Sequence, residues 1–192
     1  MRKIFILILF CSFLSCSYGS NFSKNVIVYG KNEIAIKMAA GISLEELTGN
    51  KYSDEKKTIF EAHLFAFTNI EKSELIASPE LDSIVYIAIT ENLFGKKIDM
   101  QNPELLENGS AIGLVILINE ESVIYTLASD GEETESNRED IETGTFQLDY
   151  KNGKCTLDIN VKLRDGTLFS CRYEGELVTT GTESVFQQFL KF

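Results

Sequence analysis

The sequence predicts an all-β domain: an antiparallel sandwich or barrel of about eight or nine strands, with a C-terminal meander and one or two short helices. Two observations support this prediction. Apolar and polar residues alternate through three successive segments near the C-terminus, and turn-forming residues separate those segments. Alternation of this kind is typical of a strand with one buried face. The length of 192 residues predicts one domain behind an N-terminal leader.

The leader is predicted over residues 1–20, which leaves residues 21–192 as a single β-rich domain. Arg2 and Lys3 precede an apolar run from Ile4 to Leu14. This run is shorter than the ~20 residues that a membrane-spanning helix needs. The pattern is typical of a signal peptide and predicts export to the periplasm or the outer membrane.

Two maturation routes remain open for this leader. Ser17 and Gly19 fit the small-x-small pattern of ordinary cleavage after Gly19. Leu14-Ser15-Cys16 instead resembles a loose bacterial lipobox, in which Cys16 would become the lipidated N-terminal residue. We expect membrane contact only through such a lipid anchor.

The C-terminal meander is the clearest structural prediction. Alternating segments cover Phe146–Tyr150, Cys155–Leu163 and Phe169–Leu177. Asn152-Gly153 is the preferred pair for a two-residue type I′ turn, and Arg164-Asp165-Gly166 suits a three-residue loop. The predicted register places apolar residues opposite one another, in the pairs Tyr150–Cys155, Leu148–Leu157, Phe146–Ile159, Val161–Phe169, Ile159–Cys171 and Cys155–Gly175.

Cys155 and Cys171 are predicted to be buried free thiols. The register puts them on one face of adjacent strands, four positions apart. At ~3.4 Å per residue they are ~13 Å apart, beyond the ~7 Å limit for a disulfide.

Upstream segments predict further strands and short helices. Lys57 to Asn69 fits either a helix or a strand, and its neighbours favour a strand. Ser43-Leu44-Glu45-Glu46 has the spacing of a capping box, with Gly49 as a stop. The other predicted strands are Val26–Tyr29 and Ile34–Met38 around a Gly30-Lys31-Asn32 turn, Ile84–Thr90, Ala111–Ile118 and Val123–Ala128; the other predicted helices begin at Asn102-Pro103 and at Ser184.

Charge and residue inventory exclude several function classes. The net charge of −11 repels phosphate backbones, so we expect no nucleic-acid partner. His63 is the only histidine, which excludes two-histidine metal motifs, and we expect it to be structural or solvated. No phosphate loop, dinucleotide fingerprint or nucleophile elbow occurs, so no cofactor and no catalytic residue is predicted.

The segment from Ser129 to Glu142 is unusually acidic and is a candidate cation or partner loop. Carboxylate oxygens suit hard cations, although the spacing does not match an EF-hand. A solvated loop that connects two strands, without any ligand, explains the same composition. The candidate residues are Asp130, Glu132, Glu133, Glu135, Glu139 and Asp140.

Aromatic residues suggest a second candidate site. Phe65, Phe67 and Phe146 could line an apolar pocket in a barrel, although a sealed core would use them equally well.

The segment from Leu93 to Asp99 (Leu-Phe-Gly-Lys-Lys-Ile-Asp), with the turn-rich stretch from Gly144 to Gly175, resembles small lipoproteins of Bacteroidota. The resemblance covers roughly residues 80–178. It implies a β-rich envelope domain without an assigned activity, and it transfers no catalytic residue.

Together these observations predict an exported, non-enzymatic envelope domain for binding or assembly, whose partner is a protein or another envelope component. The alternative is a lipocalin-like carrier of a small apolar ligand. A third hypothesis is a carbohydrate-active enzyme, which needs only two suitably placed carboxylates. The absence of tryptophan removes the best sugar-stacking side chain.

Overall fold

The computed structural model describes residues 24–48, 52–53, 59–71, 83–101, 109–118, 121–129, 134–137, 140–179 and 186. Within these residues the chain forms two six-stranded antiparallel sheets and one two-stranded sheet. The prediction of an all-β fold is confirmed, and the two open sheets correspond to a sandwich. The strands are β1 (Val26–Tyr29), β2 (Asn32–Ala35), β3 (Met38–Ser43), β4 (Tyr52–Ser53), β5 (Ile59–Phe60), β6 (Ala62–Thr68), β7 (Ser83–Thr90), β8 (Lys97–Asp99), β9 (Ser110–Ile118), β10 (Glu121–Ser129), β11 (Thr134–Asn137), β12 (Ile141–Lys151), β13 (Lys154–Leu163) and β14 (Leu168–Glu176).

Sheet A has the strand order β2-β1-β14-β13-β12-β8, and sheet B has the order β11-β10-β9-β7-β6-β3. The small third sheet pairs β4 with β5. The strands outnumber the predicted eight or nine because several are only two to four residues long, too short for an alternating pattern to show.

The main core lies between the two large sheets. Alternation along each strand turns one set of side chains inward, and the inward sets of both sheets belong to one apolar cluster. Sheet A contributes Ile27, Phe146, Leu157, Ile159, Val161, Phe169 and Cys171, and sheet B contributes Phe65, Phe67, Val85, Ile87, Leu114, Ile116 and Tyr125.

Sheet B is also covered on its other face. A second apolar cluster there contains Ala66, Tyr86 and Phe186, and residues of helix α1 (Leu44–Thr48) pack against it. Both faces of sheet B are therefore apolar. Sheet A differs, because its outer face carries polar residues such as Asp158, Asn160 and Arg172.

The register of the C-terminal meander is confirmed. Tyr150 pairs with Cys155, and Phe146 pairs with Ile159. On the next strand Val161 pairs with Phe169. Asn152 and Gly153 have φ values of 53° and 79°, as a type I′ turn requires. Because the register holds, Cys155 and Cys171 are buried free thiols, as predicted.

The capping box that begins α1 is also confirmed. The Glu46 amide donates to Ser43 Oγ at 3.1 Å, and the Ser43 amide donates to Glu46 Oε2 at 3.2 Å. This reciprocal pair satisfies two amide donors at the start of the helix. Within Lys57 to Asn69 the structure has strands β5 and β6 and no helix among its described residues, which agrees with the favoured interpretation.

The first hairpin differs from its prediction. Tyr29 pairs with Asn32, so the turn contains only Gly30 and Lys31. Gly30 has φ of +60°, which permits this tighter turn. The predicted second strand, Ile34–Met38, is divided, because β2 ends at Ala35 and Met38 begins β3 in the other sheet.

Several predictions fall outside the described residues. These are the signal peptide with Cys16, the helix that begins at Asn102, the stop at Gly49 and most of the segment after Ser184. No helix among the described residues combines the length and the apolar character needed to cross a bilayer.

Candidate functional site

The outer face of sheet A carries a groove that follows from the strand register. Ser170 on β14 lies between Val28 on β1 and Asn160 on β13. In the adjacent row Val26 lies opposite Arg172. Because the serine side chain is short and its neighbours are longer, the surface is low at Ser170 and higher on all sides.

The groove has a volume of about 440 Å³ and an apolar floor. Val26 and Val28 line it from β1. Leu168 lines it from the start of β14 and is 62% exposed, the one large apolar side chain so exposed among the described residues. Thr143 and Asn160 add hydrogen-bonding groups at the edge.

Two cations border the groove, and each has an acidic partner. Lys162 Nζ lies 2.5 Å from Glu142 Oε2. Arg172 Nε lies 3.5 Å from Asp158 Oδ1. Asp158 also accepts a hydrogen bond from Asn160 Nδ2 at 2.5 Å. The rim is polar but its charges are paired, so the groove has little excess of positive charge.

A second hollow of about 310 Å³ continues this face past Arg172. Arg172 lines both hollows, and its ion-pair partner Asp158 lines the second. Lys24 and Glu174 border the second hollow and form an exposed ion pair of 3.0 Å. The two hollows thus meet at Arg172 on the outer face of sheet A.

A different cluster lies at one end of sheet B, where β6 begins and β7 ends. The ligand atoms of Glu61, His63 and Glu91 all lie within 4.8 Å of one another. His63 Nε2 is 2.6 Å from Glu91 Oε1. Among the described residues this is the one group of three or more acidic, histidine or cysteine side chains that could hold a metal ion. Sequence reasoning did not find it, because Glu91 is 28 residues from His63.

The candidate acidic loop is only partly described. Glu135 lies in β11, opposite Ala128 of β10. Asp140 is exposed, and its carbonyl accepts the Arg164 amide at 3.0 Å. Asp130, Glu132, Glu133 and Glu139 lie outside the described residues. Part of the segment expected to be a loop is therefore an edge strand.

The three candidate pocket phenylalanines are fully buried in the main core. Phe65 and Phe67 are 1% and 0% exposed, and Phe146 is 0% exposed. The Phe65 ring centre is 5.5 Å from that of Tyr150, and the Phe67 ring centre is 5.3 Å from that of Tyr173. They are not among the residues that line the two hollows on sheet A.

Burial suppresses the reactivity of the two core thiols. Desolvation, with a smaller contribution from Asp149, raises the pKa of Cys155 to about 12. Desolvation raises the pKa of Cys171 still further. Since the thiolate is the nucleophile, neither cysteine suits nucleophilic catalysis at neutral pH.

Comparison with known proteins found no matching family model, no matching curated protein and no matching solved structure.

Proposed function

We propose that this chain is an exported, non-enzymatic β-sandwich that binds a segment of another protein through the groove on the outer face of sheet A. The observation that carries the proposal is the exposed apolar side chain of Leu168, at one end of a groove that Val26 and Val28 also line together with polar residues. Apolar side chains bordered by polar ones are the usual anatomy of a protein–protein interface.

The charge distribution favours a protein segment over a free anion. Lys162 and Arg172 already pair with Glu142 and Asp158, so an incoming phosphate would compete with bound carboxylates. The net charge of −11 adds a general repulsion of anions and nucleic acids. An apolar side chain over Ser170, with hydrogen bonds to Asn160 and Thr143, needs no excess of positive charge.

The packing of the interior gives less support to the carrier hypothesis. Phe65 and Phe67 contact neighbouring aromatic rings, and the two hollows described above lie on the outer surface of sheet A rather than between the sheets. A carrier would need an internal cavity of ~300 Å³ or more.

Export remains part of the proposal through the leader at residues 1–20. Lipidation at Cys16 would hold the domain at a membrane surface while sheet A binds its partner. In this arrangement a soluble or membrane-attached protein of the cell envelope is the partner class.

The proposal is tested by selecting random twelve-residue peptides displayed on phage against the immobilised protein. Binding peptides should share an apolar residue, and Leu168→Asp should weaken their binding at least about tenfold, because it replaces the exposed apolar side chain of the groove with a charge. Asn32→Asp is the control, since it makes the same change in charge at an exposed position of β2 outside the groove.

Peptides that bind wild type and Leu168→Asp equally well would show that the groove is not the binding surface. Failure to enrich any peptide from the library would also contradict the proposal. Circular dichroism and the urea midpoint of each variant check that the fold is retained.

A further inference from the structure

Glu61 and Glu91 occupy directly opposed positions on adjacent strands. Ala62 pairs with Thr90, so the next positions outward are Glu61 and Glu91. The Glu91 amide donates to the Glu61 carbonyl at 2.9 Å, which fixes this pairing beyond the end of the ladder. The cluster lies at the end of sheet B, away from the groove on sheet A, and is independent of the function proposed above.

Opposed carboxylates are an unfavourable cross-strand pair unless a cation lies between them. In the part of the chain that the structure describes, the ion pairs place no lysine or arginine against either carboxylate. Instead, His63 Nε2 lies 2.6 Å from Glu91 Oε1. The arrangement concentrates negative charge around one imidazole nitrogen.

His63 is held in a defined orientation by aromatic packing. Its side chain is only 14% exposed. The ring centre lies 6.1 Å from that of Phe65, 5.5 Å from that of Phe94 and 5.9 Å from that of Tyr150. These contacts come from sheet B, from the turn after β7 and from sheet A. The packing holds the ring in place while Nε2 faces the carboxylates, and a side chain locked by packing is a preorganised ligand.

The distances fit a single small cation. Two ligand atoms about 2.0–2.2 Å from a tetrahedral Zn²⁺ lie roughly 3.4 Å from each other. The three donor atoms here lie between 2.6 Å and 4.8 Å from one another. Small side-chain rotations of the exposed Glu61 and half-exposed Glu91 would equalise these distances.

We propose that Glu61, His63 and Glu91 form a binding site for a divalent transition-metal ion of the Zn²⁺ type. One imidazole nitrogen with two carboxylate oxygens is a donor set for such ions, whereas Ca²⁺ takes oxygen ligands. Three protein ligands leave a coordination position for water or for a group of a bound partner. The ion would relieve the repulsion between Glu61 and Glu91 and would connect β6 to the end of β7.

The experiment is a titration of the full chain, purified without a histidine tag, with ZnCl₂ alone and then with CaCl₂. Isothermal calorimetry should show one saturable zinc site and no comparable calcium binding at the same place. Because His63 is the only histidine, its imidazole NMR signals need no assignment by mutagenesis. These signals should change on zinc addition and reach a plateau at one equivalent.

Two variants remove ligands with little effect on packing. Glu61→Gln changes an exposed side chain, and His63→Phe keeps an aromatic ring against Phe65, Phe94 and Tyr150. Loss of a residue that only hydrogen-bonds a metal ligand already weakens metal binding about 10- to 100-fold. Loss of a ligand itself should therefore weaken zinc binding at least as much. Glu33→Gln, at an exposed position of β2, is the matched control and should bind zinc as wild type does.

Three results would overturn the proposal: no saturable zinc site, histidine signals unchanged at saturating zinc, or equal affinity in Glu61→Gln and wild type. The last of these would assign zinc binding to other carboxylates of this acidic chain. If His63→Phe fails to fold, Glu61→Gln decides the question alone, because its side chain is exposed.

Discussion

The phenol ring of Tyr173 lies over Gly175, two residues along the same strand. A Cβ on Gly175 would lie 2.7 Å from the Tyr173 hydroxyl oxygen and 3.0 Å from Cζ. The hydroxyl extends past the glycine and donates to the Glu176 carbonyl at 2.7 Å. The glycine in this strand is therefore explained by a neighbouring side chain that needs its space.

We predict that Gly175→Ala destabilises the fold by about 1–3 kcal/mol, because the methyl group and the tyrosine ring cannot both keep their positions. Gly113→Ala is the control: its Cβ would meet only Ala88 Cβ, at an ordinary 3.5 Å. We expect that control to be neutral or stabilising by up to about 1 kcal/mol. Urea unfolding measures both, and equal midpoints for the two variants would contradict the steric explanation.

The turn between β12 and β13 provides a test of backbone strain without a clash. Gly153 has φ of +79°, and a Cβ there would have no atom within 4 Å. We predict that Gly153→Ala costs about 1–2 kcal/mol through the left-handed backbone alone. Lys154→Ala, at the exposed start of β13, is the control. An unchanged urea midpoint for Gly153→Ala would show that this turn relaxes freely.

Stability should fall at alkaline pH because of the buried thiols. Burial raises the pKa of Cys155 from 9.0 to about 12, and the pKa of Cys171 also rises. Between these pH values the unfolded thiol releases its proton and the folded one keeps it, so the stabilisation present below about pH 9 is lost as pH rises toward 12. Above the pKa of the unfolded thiol, each buried thiol lowers the free energy of unfolding by about 1.4 kcal/mol per pH unit.

Urea unfolding between pH 9 and pH 11 measures this slope. Cys155→Ala should reduce the loss of unfolding free energy by the contribution of one thiol, about 1.4 kcal/mol per pH unit, whatever its effect on stability at pH 7. Ile159→Val also removes buried volume but has no titrating group, and it should leave the slope unchanged. If wild type and Cys155→Ala lose stability in parallel as the pH rises, the Cys155 thiol does not cause the alkaline loss of stability.

The leader sequence leaves two maturation routes open, and we predict the one that lipidates Cys16. Expressed with residues 1–20 in a Gram-negative host, the mature chain should begin at Cys16 and carry acyl groups, visible by intact-mass spectrometry. Cys16→Ser should abolish the added mass and move the protein from the detergent phase to the aqueous phase. An unmodified chain that begins at Ser20 would instead indicate ordinary cleavage after Gly19.

Local signals predicted the C-terminal half of sheet A closely. Asn152-Gly153 fixed a two-residue turn, and alternation then determined which residues face one another, since a slip by one residue would turn every side chain over. The first hairpin was less predictable. Gly30 permits either a two- or a three-residue connection, and the shorter one changed both the register and the end of the strand.

The candidate sites were harder to predict than the strands. Val28, Ser170 and Asn160 belong to three strands, and only their alignment creates the groove. His63 and Glu91 are likewise 28 residues apart and meet because β6 pairs with β7. A lone histidine in a strand gave no indication of its neighbours.

The sequence alone determined the all-β class, the meander register and the burial of both thiols, because these depend on alternation and turn residues close together in the chain. The tertiary structure decided how the strands divide between two sheets, which face of sheet A remains open and which carboxylates face His63. Those outcomes depend on contacts between distant segments, for which no short pattern in this sequence carries information.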